Sequence, residues 1–240
     1  QSQKDHNHTL QQCLKAGLKL VNDANEKEGI VGITTGLTDL DNCIGGFHDS
    51  DLTVIGARPA MGKTALLFSM AHAANIPSGI ISAEQGMAQA GLRMISIHGS
   101  VDSQKLRTAS LDESEWALLT GATLSLKDRP VWLNDEASIS ITGLIRQARE
   151  WKFNHNIQIL YVDYIQKIKG SSQRMSKTEQ VTEVTQALKN LARELDIPVV
   201  ALAQVKRDVE SRPDKRPRAG DMSDASEIEK EADVIMTIYR

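Results

Sequence analysis

Aromatic residues are scarce: three Trp, three Tyr and three Phe make up 4% of 240 residues. That is too few for a sheet that reads single strands by stacking bases on rows of Phe and Tyr. Cysteine is scarcer still, with Cys13 and Cys43 alone. Two thiols supply neither a metal-ligand spacing nor a disulfide framework, which is the usage of a reducing, cytoplasmic compartment. Charge of either sign is nearly balanced, 28 Lys+Arg against 31 Asp+Glu, for a net −3. This excludes a surface that is one basic footprint for nucleic acid, though not a local basic groove. No secretory signal is present. The one charge-free window as long as a membrane span, residues 64–83, is broken by His72, Asn75, Pro77 and Gly79. It reads as a buried helix, a turn and a buried strand, so no membrane segment is expected.

What remains is ordinary globular material, 40% hydrophobic and 25% charged. The length suits one large domain, or one domain with an appendage, able to bury a core without staples. The chain opens on Gln1 rather than Met and closes on Ile238-Tyr239-Arg240, which reads as the end of a strand. A piece of a longer chain is therefore expected. From Leu10, apolar residues recur as Leu10, Cys13, Leu14, Leu18 and Val21, one face of a helix capped by Thr9 and fading over residues 26–29. This stripe can dock on its own domain, on a neighbouring subunit or on a membrane surface.

After Gly36, strand and helix signals alternate. Apolar strands are expected at 52–57, 79–83, 131–133, 157–162, 198–203 and 234–239. Helices are expected at 62–74, 86–98, 112–124, 140–153 and 178–195, with Asp112 and Glu115 as a capping box and Ser140 as a cap. Continuous apolar strands separated by helices imply an α/β fold, a mostly parallel sheet with helices on both faces.

Between the first strand and its helix lies Ala57-Arg58-Pro59-Ala60-Met61-Gly62-Lys63-Thr64. In that context the segment is a phosphate-binding loop, with Ala57 where the first glycine of the usual pattern stands. Gly62 lets the backbone approach an anion at a helix N-terminus, Lys63 places a compact charge on the β- and γ-phosphates, and the Thr64 hydroxyl suits Mg²⁺. Glu84, Asp163 and Gln204 each follow an apolar strand, and in an open parallel sheet the carboxyl ends of strands gather round the ligand. Asp163 is then the second Mg²⁺ residue, Glu84 the base that orients water, and Gln204 the sensor of the γ-phosphate. ATP and Mg²⁺ are the expected cofactors, bound by residues 58–64 and Asp163.

These residues resemble the C-terminal motor domain of the DnaB-type replicative helicases, which is a RecA-like P-loop domain. The resemblance runs through Thr-Gly-Leu-Thr-Asp-Leu-Asp at 35–41, the Gly45-Gly46 turn, the phosphate loop and Asp163-Tyr164-Ile165-Gln166. It continues through residues 188–195 and 197–204, Asp214-Lys215-Arg216-Pro217, and residues 228–236. It implies an ATP-hydrolysing hexameric ring that moves 5′ to 3′ along single-stranded DNA to unwind duplex, with a primase and a helicase loader as partners. It also implies that residues 1–29 form a linker helix packed on the adjacent subunit, and that 30–240 form the motor domain. Family members carry an N-terminal collar, and a later hairpin with basic residues acting in trans, both outside this chain. Where the family has Ser-Asp-Leu-Arg-Glu-Ser-Gly in a DNA-touching loop, residues 220–226 place Ser223 at the Arg and Ser226 at the Gly. Such divergence points to a phage or otherwise specialised member.

DNA-binding candidates fall in two loops. Lys169, Arg174 and Lys177 follow the Asp163 strand; Arg207, Arg212, Lys215 and Arg216 follow the Gln204 strand, with Ser223, Asp224 and Ser226 beyond. Both stretches can equally be solvated loops. A RecA-type recombinase, a P-loop kinase and a nucleotide-switched ring scaffold with weak hydrolysis are the competing functions.

Overall fold

The computed structural model describes residues 7, 9–26, 30–172, 174–223 and 225–240. Among them, six strands, β1 (Leu52–Ala57), β2 (Ser78–Ser82), β3 (Val131–Asn134), β4 (Ile159–Asp163), β5 (Val199–Gln204) and β6 (Val234–Ile238), form one sheet in the order β3-β2-β4-β5-β1-β6. Every pairing in it is parallel. The helices are α1 (Leu10–Glu26), α2 (Thr38–Ile44), α3 (Lys63–Ala74), α4 (Met87–Gly99), α5 (Ser103–Thr108), α6 (Glu113–Leu126), α7 (Ile141–His155), α8 (Lys177–Leu195) and α9 (Ala225–Glu231).

The central strands are continuous apolar runs because both their faces are covered. β1, β2 and β4 are buried at every position. Alternate side chains serve opposite layers, as the two-residue period of a strand requires. Val54, Val162 and Val199 pack with Leu144, Val184 and Leu188 of α7 and α8. Ile55, Tyr161 and Leu202 pack with Leu67, Phe68 and Met70 of α3 on the other face. The edge strands β3 and β6 are half-buried.

Local chemistry sets where the helices begin. Asp112 opens α6 with the expected capping box, Ser140 caps α7, and Ser176 with Glu179 forms a second box that starts α8 at Lys177, one residue before the expected start. The Thr9 hydroxyl accepts the Gln12 N–H at 3.3 Å, while Gln12 Oε1 accepts the Thr9 N–H at 2.8 Å, fixing the start of α1. Three short helices, α2, α5 and α9, have no counterpart in the periodicity. At 7, 6 and 7 residues they are too short to display a repeating apolar face. β4 begins at Ile159 rather than 157, because the Gln158 N–H goes to the Pro77 carbonyl and residues 157–158 lead into the ladder.

One apolar surface is left over. Along α1, Leu10, Leu14, Leu18 and Val21 are all at least 59% exposed, so the stripe finds no cover among the described residues.

Two glycines on different elements give opposite outcomes when a methyl is added. A Cβ on Gly79 of β2 would stand 2.7 Å from Trp151 Cε3, whereas Gly121 in α6 has no described atom within 4 Å of its Cβ position. Gly79→Ala is expected to cost about 1–3 kcal/mol by overpacking. Gly121→Ala should stabilise by about 0.5–1 kcal/mol through helix propensity. Urea midpoints of the two variants against wild type check both signs.

Candidate nucleotide site

Four adjacent strands, β2, β4, β5 and β1, each bring one part of the site to the carboxyl edge of the sheet. β1 ends at Ala57 and the chain turns into α3 through Gly62, whose φ of +92° lies in the left-handed region that glycine tolerates. Among the described residues no side chain caps α3, so its first-turn amides are left for an anion. No described atom lies within 4 Å of a Cβ position on Gly62, so the approach to those amides is open. Arg58, Pro59, Ala60, Gly62, Lys63, Thr64, Glu84 and Gln204 all line one cleft of 290 Å³ over this turn. Met61 turns away from it, toward a neighbouring hollow with Lys215 and Tyr239.

Asp163, the last residue of β4, lies fully buried behind the cleft. The Thr64 hydroxyl donates to its Oδ2 at 2.7 Å, while its Oδ1 is buried without a partner among the described residues. Burial raises the Asp163 carboxyl above the ordinary carboxylate range and Glu84 adds to this; the Thr64 hydroxyl, Lys63 and Arg93 oppose it. Burial lowers the Lys63 ammonium, opposed by Asp163 and Glu84. Its Nζ rests 4.0 Å from the centre of the Tyr164 ring, a cation–π contact. A half-satisfied carboxylate beside a hydroxyl is the hard-oxygen set that Mg²⁺ prefers, so Thr64 and Asp163 fit that ion. Glu84 is exposed on the cleft wall.

Two residues in the site were given no role by the sequence. Tyr164 carries the resting Lys63. Arg93 of α4 also lines the cleft, where it donates to Gln85 Oε1 at 3.3 Å. The one available hint was a lone charge between Leu92 and Met94, in a helix with no other Asp, Glu, Lys or Arg. Arg58 has a different partner from the phosphate anticipated for it. Its Nε donates to Glu210 Oε1 and its Nη1 to the Val205 carbonyl, both at 2.8 Å, tying the phosphate loop to the segment after β5.

The DNA candidates separate in the same way. Lys169, Arg174, Lys177, Arg207, Lys215 and Arg216 are exposed, and none makes an ion pair among the described residues. Arg212 is instead paired with Asp221 and bonded to the Arg216 carbonyl. The Ser223 N–H donates to the Gln204 carbonyl at 2.9 Å, which leaves its hydroxyl as the group for a phosphate. Ser226 is exposed at the start of α9; Asp224 lies outside the described residues.

An open glycine turn at a helix start, with a helix-start hydroxyl on a strand-end carboxylate in an all-parallel sheet, defines a P-loop nucleotide-binding domain of RecA-like fold. The chain belongs to the DnaB-like helicase C terminal domain family, which matches residues 32–240. Replicative DNA helicase DnaB of Rickettsia bellii (strain RML369-C) is 39% identical over 225 residues, covering 88% of this chain and 45% of that protein. The chain thus spans less than half the length of this relative. A solved structure described as an ATPase domain superposes with a TM-score of 0.90 at 30% identity, over 98% of this chain and 84% of that one. A second, "The Structure Of A DnaB-Like Replicative Helicase And Its Interactions With Primase", does so at 0.86 and 30%, over 98% and 57%.

The buried Asp163 makes a two-sided prediction. Its folded-state proton affinity is raised above that of the unfolded chain, so the native state loses stability as pH rises through the carboxylate range. Asp163→Asn should therefore have a higher urea midpoint than wild type at pH 7, with the gap closing at low pH. The same variant should lose the tightening of nucleotide binding by Mg²⁺, compared by calorimetry with and without a chelator.

Proposed function

We propose that this chain is the ATP-driven motor of a replicative DNA helicase, working as a homo-hexameric ring that moves 5′ to 3′ along single-stranded DNA. The observation that carries this is the convergence of Lys63, Thr64, Glu84 and Gln204 on one cleft, with Asp163 behind it, in a DnaB-family chain. Ala60, Gly62, Lys63 and Thr64 close on the ATP phosphates, with Lys63 leaving Tyr164 for the β- and γ-phosphates, while Arg58 ties the loop to Glu210 and Met61 packs behind it. Thr64 and Asp163 hold Mg²⁺, which neutralises phosphate charge and polarises the transferred phosphoryl group. Glu84 orients the attacking water and accepts its proton, being the carboxylate with solvent access on the cleft wall. Gln204 faces the γ-phosphate and reports its loss to the segment that follows β5.

Assembly is supported by the uncovered stripe of α1, the helix of a linker region 1–29, which finds cover on the adjacent subunit and leaves 30–240 as the motor domain. Lys169, Arg174, Lys177, Arg207, Lys215 and Arg216 grip the DNA backbone from the two loops at the carboxyl edge, with the Ser223 hydroxyl and Ser226 as further phosphate contacts. Arg212 holds that second loop in shape through Asp221. A primase is the partner suggested by the second structural relative, and a helicase loader by the ring architecture.

Single-stranded DNA should stimulate ATP turnover, with DNA affinity falling steeply as salt rises. Lys63→Ala is expected to lower turnover by roughly 10²–10³. Native mass spectrometry with an ATP analogue should give six copies. Turnover indifferent to DNA, or a monomer at every nucleotide state, would remove the reading.

A further inference from the structure

The N–H groups of successive residues in a strand point to opposite sides. At the end of β5, the Val205 N–H goes to the Ala57 carbonyl on β1, so the Gln204 N–H faces the β4 side. There the ladder has already stopped, because β4 and β5 pair only as far as Val162 and Ala201. A partly buried N–H left over at that point calls for an acceptor from elsewhere. Gln166 supplies it: its Oε1 accepts the Gln204 N–H at 3.2 Å. The amide orientation follows from chemistry, since an N–H can only donate and the Gln166 oxygen must face it. The other half of that amide, Nε2, is buried without a partner among the described residues. An amide kept with one end unsatisfied is held there for what its oxygen does.

The Gln204 carbonyl in turn accepts the Ser223 N–H at 2.9 Å. One backbone residue thus joins the segment carrying Lys169, Arg174 and Lys177 to the segment returning at Ser223, and the same residue lines the nucleotide cleft. We propose that Gln166 is the positioning residue for Gln204, a side-chain rung that extends the β4–β5 ladder past its end. It sets the aim of the Gln204 side chain and makes that aim depend on the loop after β4. The proposal rests on the reading of Gln204 as a γ-phosphate sensor.

The test uses Gln166→Leu, which removes the acceptor at similar size, and Gln166→Glu, which keeps an oxygen there. Gln166→Asn, the same amide withdrawn by one methylene, decides the question where the Leu variant does not fold. The expected result is a fall of about tenfold in kcat for ATP hydrolysis with KM unchanged. Hydrogen exchange at the Gln204 amide should quicken in step, and Gln166→Glu should recover both. On a Gln204→Ala background, Gln166→Leu should cost nothing further, since no side chain remains to be aimed. Losses that multiply across the two positions, an effect confined to KM, or unchanged exchange at Gln204 would overturn the assignment. Wild-type turnover indifferent to single-stranded DNA would instead remove the motor reading, with the Gln166 assignment still decided by kcat and exchange.

Discussion

Asp163 is a carboxylate shut away from solvent, with a hydrogen bond from the described residues at one oxygen only. Such a group is costly unless the fold holds it, and several elements converge to do so. β4 carries it at its last position, between β2 and β5, and the Ala83 N–H bonds to its backbone carbonyl at 2.8 Å. α3 must start where Gly62 turns for Thr64 to reach Oδ2. Lys63, itself pushed toward its neutral form by burial, sits close enough to oppose the shift. The site therefore keeps a cation and an anion in surroundings that favour neither. In the proposed function a phosphate–metal ligand resolves both at once, and the driving force for its binding is set in place by the sheet.

Much of this was legible in sequence, for a reason the packing makes plain. A parallel sheet covered on both faces needs unbroken apolar strands, so a polar residue closing such a run marks the carboxyl edge, as with Glu84, Asp163 and Gln204. Caps are equally local, and Asp112 and Ser140 behave as their spacing implies. What escaped depends on where the chain folds back. Val205 pairs with Met222 in an antiparallel bridge that closes the intervening segment on itself. Arg212 thereby meets Asp221, and Arg58 meets Glu210 across 152 positions. A linear reading sees a basic stretch followed by an acidic one and cannot tell free cations from spent ones. Tyr164 and Gln166 stood inside a recognised motif, yet their roles exist only where β4 leaves the ladder.

The same accounting bears on how so little positive charge can hold DNA. Of the cations after β5, Arg212 is consumed by Asp221, while Arg207 and Lys215 lie in the field of Glu210, whose carboxyl they help to lower. Each copy therefore offers a thin scatter of free charge, on a chain of net −3 with few aromatic rings for stacking. A single copy could not grip a strand by bases, and would hold its backbone weakly. The proposed ring removes the difficulty, because six thin scatters facing one axis form a dense field around a polyanion, and backbone contact needs no rings. It also accounts for α1, whose leucines are a liability on an isolated chain and an interface in an assembly. Weak charge per subunit then becomes an advantage for a motor, since a strand must be released at each step as readily as it is held.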